Sequence, residues 1–197
     1  MSDLYEPFLR HLPKGSHILN AGCGVVGRDT KHFINLGYNV TAIDASQQMV
    51  NISSQFTGQK TLLMAFQDLS FVNCFDGIWA SASFLHVPRQ EMGLVFKKFI
   101  VAMKDGGIWY LSFKVGSGER IHKDGRFFND YDEGAFWNFL SSYRQILDIV
   151  KINSTITNKD GCLPEKWLNI LLSIDKSKIS LCEVALGIND RVELNKK

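Results

Sequence analysis

The stretch His17 to Ser46, HILNAGCGVVGRDTKHFINLGYNVTAIDAS, limits the fold more than any other part of the chain. An apolar run at 17–21 stops at glycines. Gly22, Gly24 and Gly27 then open a helix from about Arg28 to Leu36, and Gly37 closes it. A second apolar run, 39–43, ends in Asp44 and Ala45. Strand, glycine turn, helix, strand, acid is the first half of a nucleotide-binding α/β unit. Glycines let the backbone turn tightly and approach a ligand closely, because a Cβ would clash. The N–H groups at a helix start favour negative or polar ligand atoms. A carboxylate at the tip of the second strand can accept both hydroxyls of a ribose. The segment therefore specifies an adenosine-type ligand, with Gly22, Gly24, Gly27, Arg28, Asp44 and Ala45 as candidate contacts.

Two ligands of that type compete. Gly22-x-Gly24-x-x-Gly27 has the spacing used for a nicotinamide dinucleotide, and Asp44 stands about 20 residues on, where that fingerprint places its acid. The rest of the chain favours S-adenosylmethionine. ILNAGCG and VTAIDAS are followed in order by AFQDLSF (65–71), FDGIWASASFLHVP (75–88) and MKDGGIWYLSFKVGSGER (103–120). This series resembles the ordered motifs of class I S-adenosylmethionine-dependent methyltransferases, above all the small bacterial type 11/12 and tellurite-resistance-like enzymes. The likeness continues through DGRFFNDYDEGAF (124–136) and EKWLNILL (165–172), and spans roughly residues 4 to 175.

The resemblance implies site residues beyond the glycine turn. Asp68 matches an acid that contacts the adenine amino group, and Leu69 beside it implies a backbone N–H and apolar cover for the ring. Ala80 and Ser81 end the fourth strand, where the family passes the methionine part of the cofactor. His86 falls near the transferred methyl group and the acceptor, where it can act as a general base. Asn20 stands where the family carries an acid that orients the cofactor's ammonium group. The amide keeps the size and loses the charge, and charge-assisted hydrogen bonds are about twice as strong as neutral ones. The turn GCGVVGRD is one residue longer than the family's G-x-G-x-G-R-D, so Gly27 and Arg28 are displaced. A valine at 25 or 26 is strained if the extra residue needs a positive φ. Relatives carry a further helix ahead of the SDLYEPFL segment, so thinner cover over the cofactor is expected here.

Composition agrees with one globular domain. The chain has 197 residues, 45% hydrophobic and 21% charged, enough for a single core. A net charge of +2 without a basic run gives no reason to expect a nucleic-acid or membrane partner. Cys23, Cys74, Cys162 and Cys182 are far apart, with no metal-ligand spacing, which argues against a metal site and suits a reducing, cytoplasmic setting. The start MSDLYEPFLRHLPKG lacks the charged and apolar regions of a signal peptide, and no apolar run reaches membrane-spanning length.

Alternating strands and helices predict an α/β, Rossmann-like, doubly wound sheet of seven mostly parallel strands with a terminal antiparallel hairpin. The expected elements are a helix at 3–11, strands at 17–21, 39–43, 60–66, 75–81 and 108–114, and helices from Ser46 to about Phe56 and from Pro88 to about Met103. Leu94, Val95, Lys98, Phe99 and Ala102 mark the expected apolar face of the latter. Gly106-Gly107 reads as a turn and 115–129 as an irregular loop. Asp132 reads as the N-cap of a helix to about Ser142. Runs 146–157 and 167–174 form the closing hairpin. Residues 1–175 make the domain, and 176–197 form a polar tail with an apolar patch at 179–188.

In the glycine-punctuated loop, Arg120 and Arg126 can grip an anionic acceptor bidentately. Tyr5, Phe8, Phe127 and Phe128 are candidates to line an acceptor pocket, although aromatic residues more often fill a core. The sequence thus points first to an S-adenosylmethionine-dependent methyltransferase, with S-adenosylhomocysteine as product, acting on a small-molecule acceptor. A non-catalytic binding or regulatory protein of the same fold is second, because of Asn20 and the lengthened turn. A nicotinamide-dependent oxidoreductase is third, because of the literal glycine spacing. Oligomeric state is not readable.

Overall fold

The computed structural model describes residues 2–24, 27–158 and 163–178. The expected valine strain at 25–26, two of the cysteines (162 and 182) and the tail patch at 179–188 lie outside those residues. Helix α1 is Ser2–Leu9, strand β1 His17–Ala21, helix α2 Arg28–Asn35, strand β2 Asn39–Asp44, helix α3 Gln47–Thr57 and strand β3 Thr61–Leu63. Strand β4 is Phe75–Ala80, helix α4 Arg89–Ala102 and strand β5 Met103–Lys114. A ribbon of β6 (Gly118–Ile121) and β7 (Phe127–Asp130) precedes helix α5 (Glu133–Leu140). Strands β8 (Leu147–Thr157) and β9 (Glu165–Ile174) close the fold.

The main sheet has seven strands in the order β3-β2-β1-β4-β5-β9-β8. Its first five strands are parallel, with Ile18 paired to Val40 on one side and Gly77 on the other. Strand β9 runs antiparallel between β5 and β8, from Ile108 opposite Ser173 to Lys114 opposite Trp167. The carboxyl ends of β1, β2 and β4 therefore share one edge of the molecule, where open α/β sheets bind ligands.

Each face of the sheet has its own core. One packs β1 and β4 under α4 and α5 around Phe84, Phe96, Phe99 and Trp109. The other packs Ile18, Trp79 and Tyr110 under α1 and α2 around Phe8 and Phe33. Caps end the helices as the sequence suggests. Ser46 Oγ accepts the Met49 N–H, Gly58 takes the left-handed conformation after α3, and Asp132 Oδ1 accepts the Ala135 N–H at 2.7 Å.

The structure departs from the sequence reading in four places. Strand β3 stops at Leu63 because Phe66–Asp68 turn into a short 3₁₀ helix. Gly106-Gly107 is not a turn between elements. Gly106, at φ 71°, lies inside β5, where the register with β4 jumps from Phe75–Met103 to Gly77–Ile108. The apolar face of α4 is Met92, Val95, Phe96, Phe99 and Ile100, while Leu94 is 49% exposed. The loop at 115–129 contains the β6–β7 ribbon, with Arg120 opposite Phe128.

Lys176 ties the end of the described chain to the opposite edge of the sheet. Its ammonium donates to Met103 O at 2.5 Å, Asn73 Oδ1 at 2.6 Å and Val101 O at 3.4 Å. Val101 O also takes the Asn73 N–H at 2.9 Å, and burial depresses the Lys176 pKa. Lys176→Met keeps the stem and removes every donor, so it should cost about 1–2 kcal/mol. A thermal melt should show the midpoint falling by roughly 2–4 °C per kcal/mol.

Candidate functional site

The glycine turn after β1 is held by β2. The N–H groups of Gly22 and Cys23 both donate to Ile43 O, at 2.9 and 3.1 Å, and the Gly24 N–H donates to Asp44 Oδ2 at 3.2 Å. Asp44 Oδ1 accepts the Ser46 N–H at 2.9 Å. The Asp44 carboxylate is thus fixed at the strand tip from both sides. An ionised carboxylate offers about four lone-pair positions; two take N–H groups and the Cys23 thiol is a weak third donor at Oδ2, so room for a hydroxyl donor remains at Oδ1. The turn's N–H groups, read from sequence as open to a ligand, are directed at β2 in this arrangement. Cys23 lies 3.8 Å from the same carboxylate, and burial pushes its thiol pKa up to about 11.

The three glycines have different reasons to be glycine. All have positive φ, at 79°, 64° and 57° for Gly22, Gly24 and Gly27. A Cβ on Gly22 would lie 2.5 Å from Ser83 Cβ, and one on Gly27 2.4 Å from Ser53 Oγ. Those two glycines serve packing of the turn on the β4 loop and of α2 on α3. Among the described residues a Cβ on Gly24 would meet nothing within 4 Å, so of the three glycines this one faces space that a ligand can use. Ser83 Oγ, packed on Gly22, is buried without a hydrogen-bond partner among the described residues.

The remaining cofactor candidates divide. Ala45 and Asp68 are exposed at the ends of β2 and the 3₁₀ turn, on the same edge as Asp44. Ser81 follows Ala80 at the end of β4, with Ala80 itself in the core. Leu69 is also core, and its N–H donates to Phe66 O, so it is placed as a packing residue rather than as ring cover. Arg28 is turned outward against Asp29 at 3.5 Å. Asn20 is 1% exposed and its Nδ2 donates to Thr30 Oγ1 at 2.7 Å.

The acceptor candidates are brought together in part. His86 Nδ1 lies 2.8 Å from Phe127 O, and its ring packs edge-on against Phe128. A carbonyl only accepts, so this contact places the proton on Nδ1 and leaves Nε2 with a lone pair. Phe128 is buried and capped by the Arg120 and Arg126 guanidiniums at 4.8 and 5.4 Å. Both arginines are already committed to carboxylates: Arg120 to Asp130 at 2.5 Å and Arg126 to Asp124 at 2.7 Å. They brace the ribbon instead of reaching out to an anion.

Tyr5 and Phe8 belong to the α1 core and line no acceptor pocket near His86. The Tyr5 hydroxyl donates to Asp29 Oδ1 at 2.6 Å, and Trp79 Nε1 donates to Asp29 Oδ2 at 2.8 Å. Sequence reasoning missed this acid. Its signal was an Asp in the first turn of α2, directly after the glycine turn. Among the described residues no group of three or more acids, histidines or cysteines is placed to hold a metal, and no helix is long and apolar enough to cross a membrane.

Comparisons with known proteins bear on the fold. The methyltransferase-domain family matches residues 19–111, from β1 into β5. The 2-methyl-6-phytyl-1,4-hydroquinone methyltransferase of Synechocystis is 28% identical over 106 residues, 49% of this chain. The chain spans about a third of that relative, 31%. Among solved structures, a methyltransferase of Methanosarcina mazei superposes with a TM-score of 0.74 at 18% identity, covering 86% of this chain and 97% of its own. The 1,6-didemethyltoxoflavin-N1-methyltransferase of Burkholderia thailandensis, solved with its substrate and S-adenosylhomocysteine, gives 0.71 at 18%, covering 88% and 77%. TehB of Haemophilus influenzae gives 0.70 at 17%, covering 89% and 62%. The chain has the fold of class I S-adenosylmethionine-dependent methyltransferases.

Gly22 and Gly24 should respond differently to substitution. Gly22→Ala should destabilise the ligand-free protein by about 2–4 kcal/mol, from overpacking on Ser83 plus left-handed strain. Gly24→Ala should cost only the strain, about 1–2 kcal/mol. Denaturant melts of the two variants check the difference.

Proposed function

We propose that this chain, built on the class I methyltransferase fold, transfers a methyl group from S-adenosylmethionine to a small-molecule acceptor. The observation that carries the reading is β9, antiparallel between β5 and β8. The dinucleotide-binding sheet is a parallel 3-2-1-4-5-6 arrangement without such a strand, so the literal glycine spacing does not outweigh the topology.

The cofactor supplies a methyl carbon made electrophilic by its sulfonium. The residues of the cleft fit it: open space at Gly24 among the described residues and a fixed carboxylate at Asp44 with acceptor capacity left at Oδ1 for a ribose hydroxyl. Asp68 would take the adenine amino group, and the Ala80–Ser81 backbone would guide the methionine part. His86, with its Nδ1 against Phe127 O, can accept at Nε2 the proton the acceptor gives up as the methyl group passes to it and the sulfonium sulfur leaves as the thioether of S-adenosylhomocysteine. Alignment and exclusion of water provide much of the acceleration in such a displacement.

One observation favours a second reading, a binding protein of this fold without catalysis. Asn20 carries no charge where the resemblance expects an acid, and one of its two amide N–H groups is held by Thr30.

Calorimetry with S-adenosylhomocysteine should give micromolar binding, and NADH should give none. Tight NADH binding without affinity for the homocysteine compound would overturn the proposal. Asp44→Ala should weaken the binding by about 1.5–3 kcal/mol. It should also lower the ligand-free melting point slightly, since Gly24 and Ser46 lose their acceptor. In a radiolabelled transfer assay over a panel of small acceptors, His86→Ala should cut turnover by about 10²–10⁴-fold and leave cofactor affinity intact. Absence of transfer to every acceptor despite tight binding would favour the second reading.

A further inference from the structure

The face of the sheet beyond α1 carries a polar strip where a core is expected. Ser112 on β5, Asn169 on β9 and Asn153 on β8 are cross-strand neighbours. Tyr110, Ser112 and Asn169 are all buried. Buried polar groups are costly unless hydrogen-bonded, and these are bonded into one network. The Tyr110 hydroxyl donates to Asn169 Oδ1 at 2.8 Å, and Asn169 Nδ2 donates to Thr155 Oγ1 at 2.9 Å and Asn153 O at 3.4 Å.

This network borders a half-open cavity of about 150 Å³ between the start of α1 and the strands β5, β9 and β8. We propose that the cavity binds a small monoanionic acid, a single-ring or short-chain carboxylate, through Lys151 and Thr155. That this acid is the methyl acceptor rests on the methyltransferase reading. The acid site itself does not.

The hydrogen bonds fix the polarity. Asn153 O can only accept, so the Asn169 amide must turn its NH₂ that way, and its second N–H goes to Thr155 Oγ1. Thr155 is therefore an acceptor within the network and keeps its own O–H to donate outward. Lys151 sits two positions before Asn153 on the same strand and also borders the cavity. Among the described residues Lys151 makes no ion pair. Two donors, one of them charged, face an apolar wall of Leu4, Pro7 and Leu171. That combination fits an acid on an apolar body.

Size and charge narrow the class. A cavity of this volume holds roughly one benzene-sized ring, which excludes nucleotides and lipids. Lys151 supplies a single positive charge at the cavity, which matches a monoanion better than a doubly charged phosphate ester. The position suits an acceptor. The Ala82 N–H, just past the end of β4, donates to Ser112 Oγ at 2.9 Å, and the Ser112 and Ser81 hydroxyls flank the Tyr110 phenol. The strip thus runs from the methionine end of the proposed cofactor cleft to the cavity.

The test uses the full chain with benzoate as probe, benzamide and phenyl phosphate as controls, and S-adenosylhomocysteine in a separate titration. Benzoate should bind, and both controls should bind more weakly. Lys151→Met should weaken benzoate at least about tenfold and Thr155→Val by about three- to tenfold. Both variants should keep the wild-type cofactor affinity, since neither residue is in the cofactor cleft; Lys151→Met should also keep the melting point, whereas Thr155→Val should lower it because the buried Asn169 amide loses an acceptor. No benzoate binding to the wild type, or equal binding to both variants, overturns the proposal. If benzoate binds with these losses and S-adenosylhomocysteine does not bind, the acid site stands and the methyltransferase reading falls. If only the homocysteine compound binds, the acid site falls alone.

Discussion

The Asp29 carboxylate is the joint on which one side of the molecule is assembled. It is nearly buried, with 13% of its side chain exposed, and each oxygen takes one strong donor. One donor is the Tyr5 hydroxyl of α1 and the other is the Trp79 indole of β4. A buried charge without such partners would be expensive. The position repays it: a negative group in the first turn of α2 complements the helix dipole, and α2 has no side-chain cap of its own because Gly27 occupies that place. The same bonds set Trp79, which stacks on Tyr110 at 4.0 Å. Tyr110 in turn orients Asn169. A single acid after the glycine turn therefore helps to order α1, the middle of the sheet and the rim of the proposed acid cavity.

Much of the fold was legible because its signals are local and periodic. The β1–α2–β2 unit could be read from apolar runs stopped by glycines, and the caps Ser46 and Asp132 from side chains that compete for backbone N–H groups. Position along a helix was less legible. In α4 the stripe 92, 95, 96, 99, 100, 102 is the one that packs, yet the exposed Leu94 makes a rotated stripe look equally apolar. The β6–β7 ribbon gave no alternating pattern, since its β6 strand is largely exposed. Its order comes from pairs such as Arg120 with Asp130 and Arg89 with Asn129. Pairings of that kind depend on tertiary placement and leave little trace in local sequence.

The site was legible to a similar depth. Asp44 could be placed at a strand tip from register alone, but its coupling to the Gly24 and Ser46 N–H groups could not. Glycine spacing suggested three equivalent contacts, whereas the structure separates them by what lies over each Cα. Gly22 and Gly27 are required by neighbouring protein atoms, and Gly24 by the conformation of the turn, with open space above it. Composition gives no hint of that distinction, because the same residue answers both needs. Arg120 and Arg126 misled for a related reason. A guanidinium in a loop suggests an anionic ligand until the acids ten and two residues away are seen to occupy it, as Asp130 does for Arg120 and Asp124 for Arg126.

Asn20 shows how folding and binding pull apart at such a site. At 1% exposure a carboxylate there would have to be buried close to α2, whose first turn already holds the Asp29 charge. Two carboxylates sharing one end of a helix repel, and each raises the cost of ionising the other. The amide avoids that repulsion and gains a neutral hydrogen bond to Thr30. The fold is then easier to form, while any ammonium group in the cleft loses a charged partner at this position. The proposed cofactor would rely more heavily on Asp44 and on the shape of the turn at Gly24. Affinity in this chain should therefore be concentrated at the ribose end of the site.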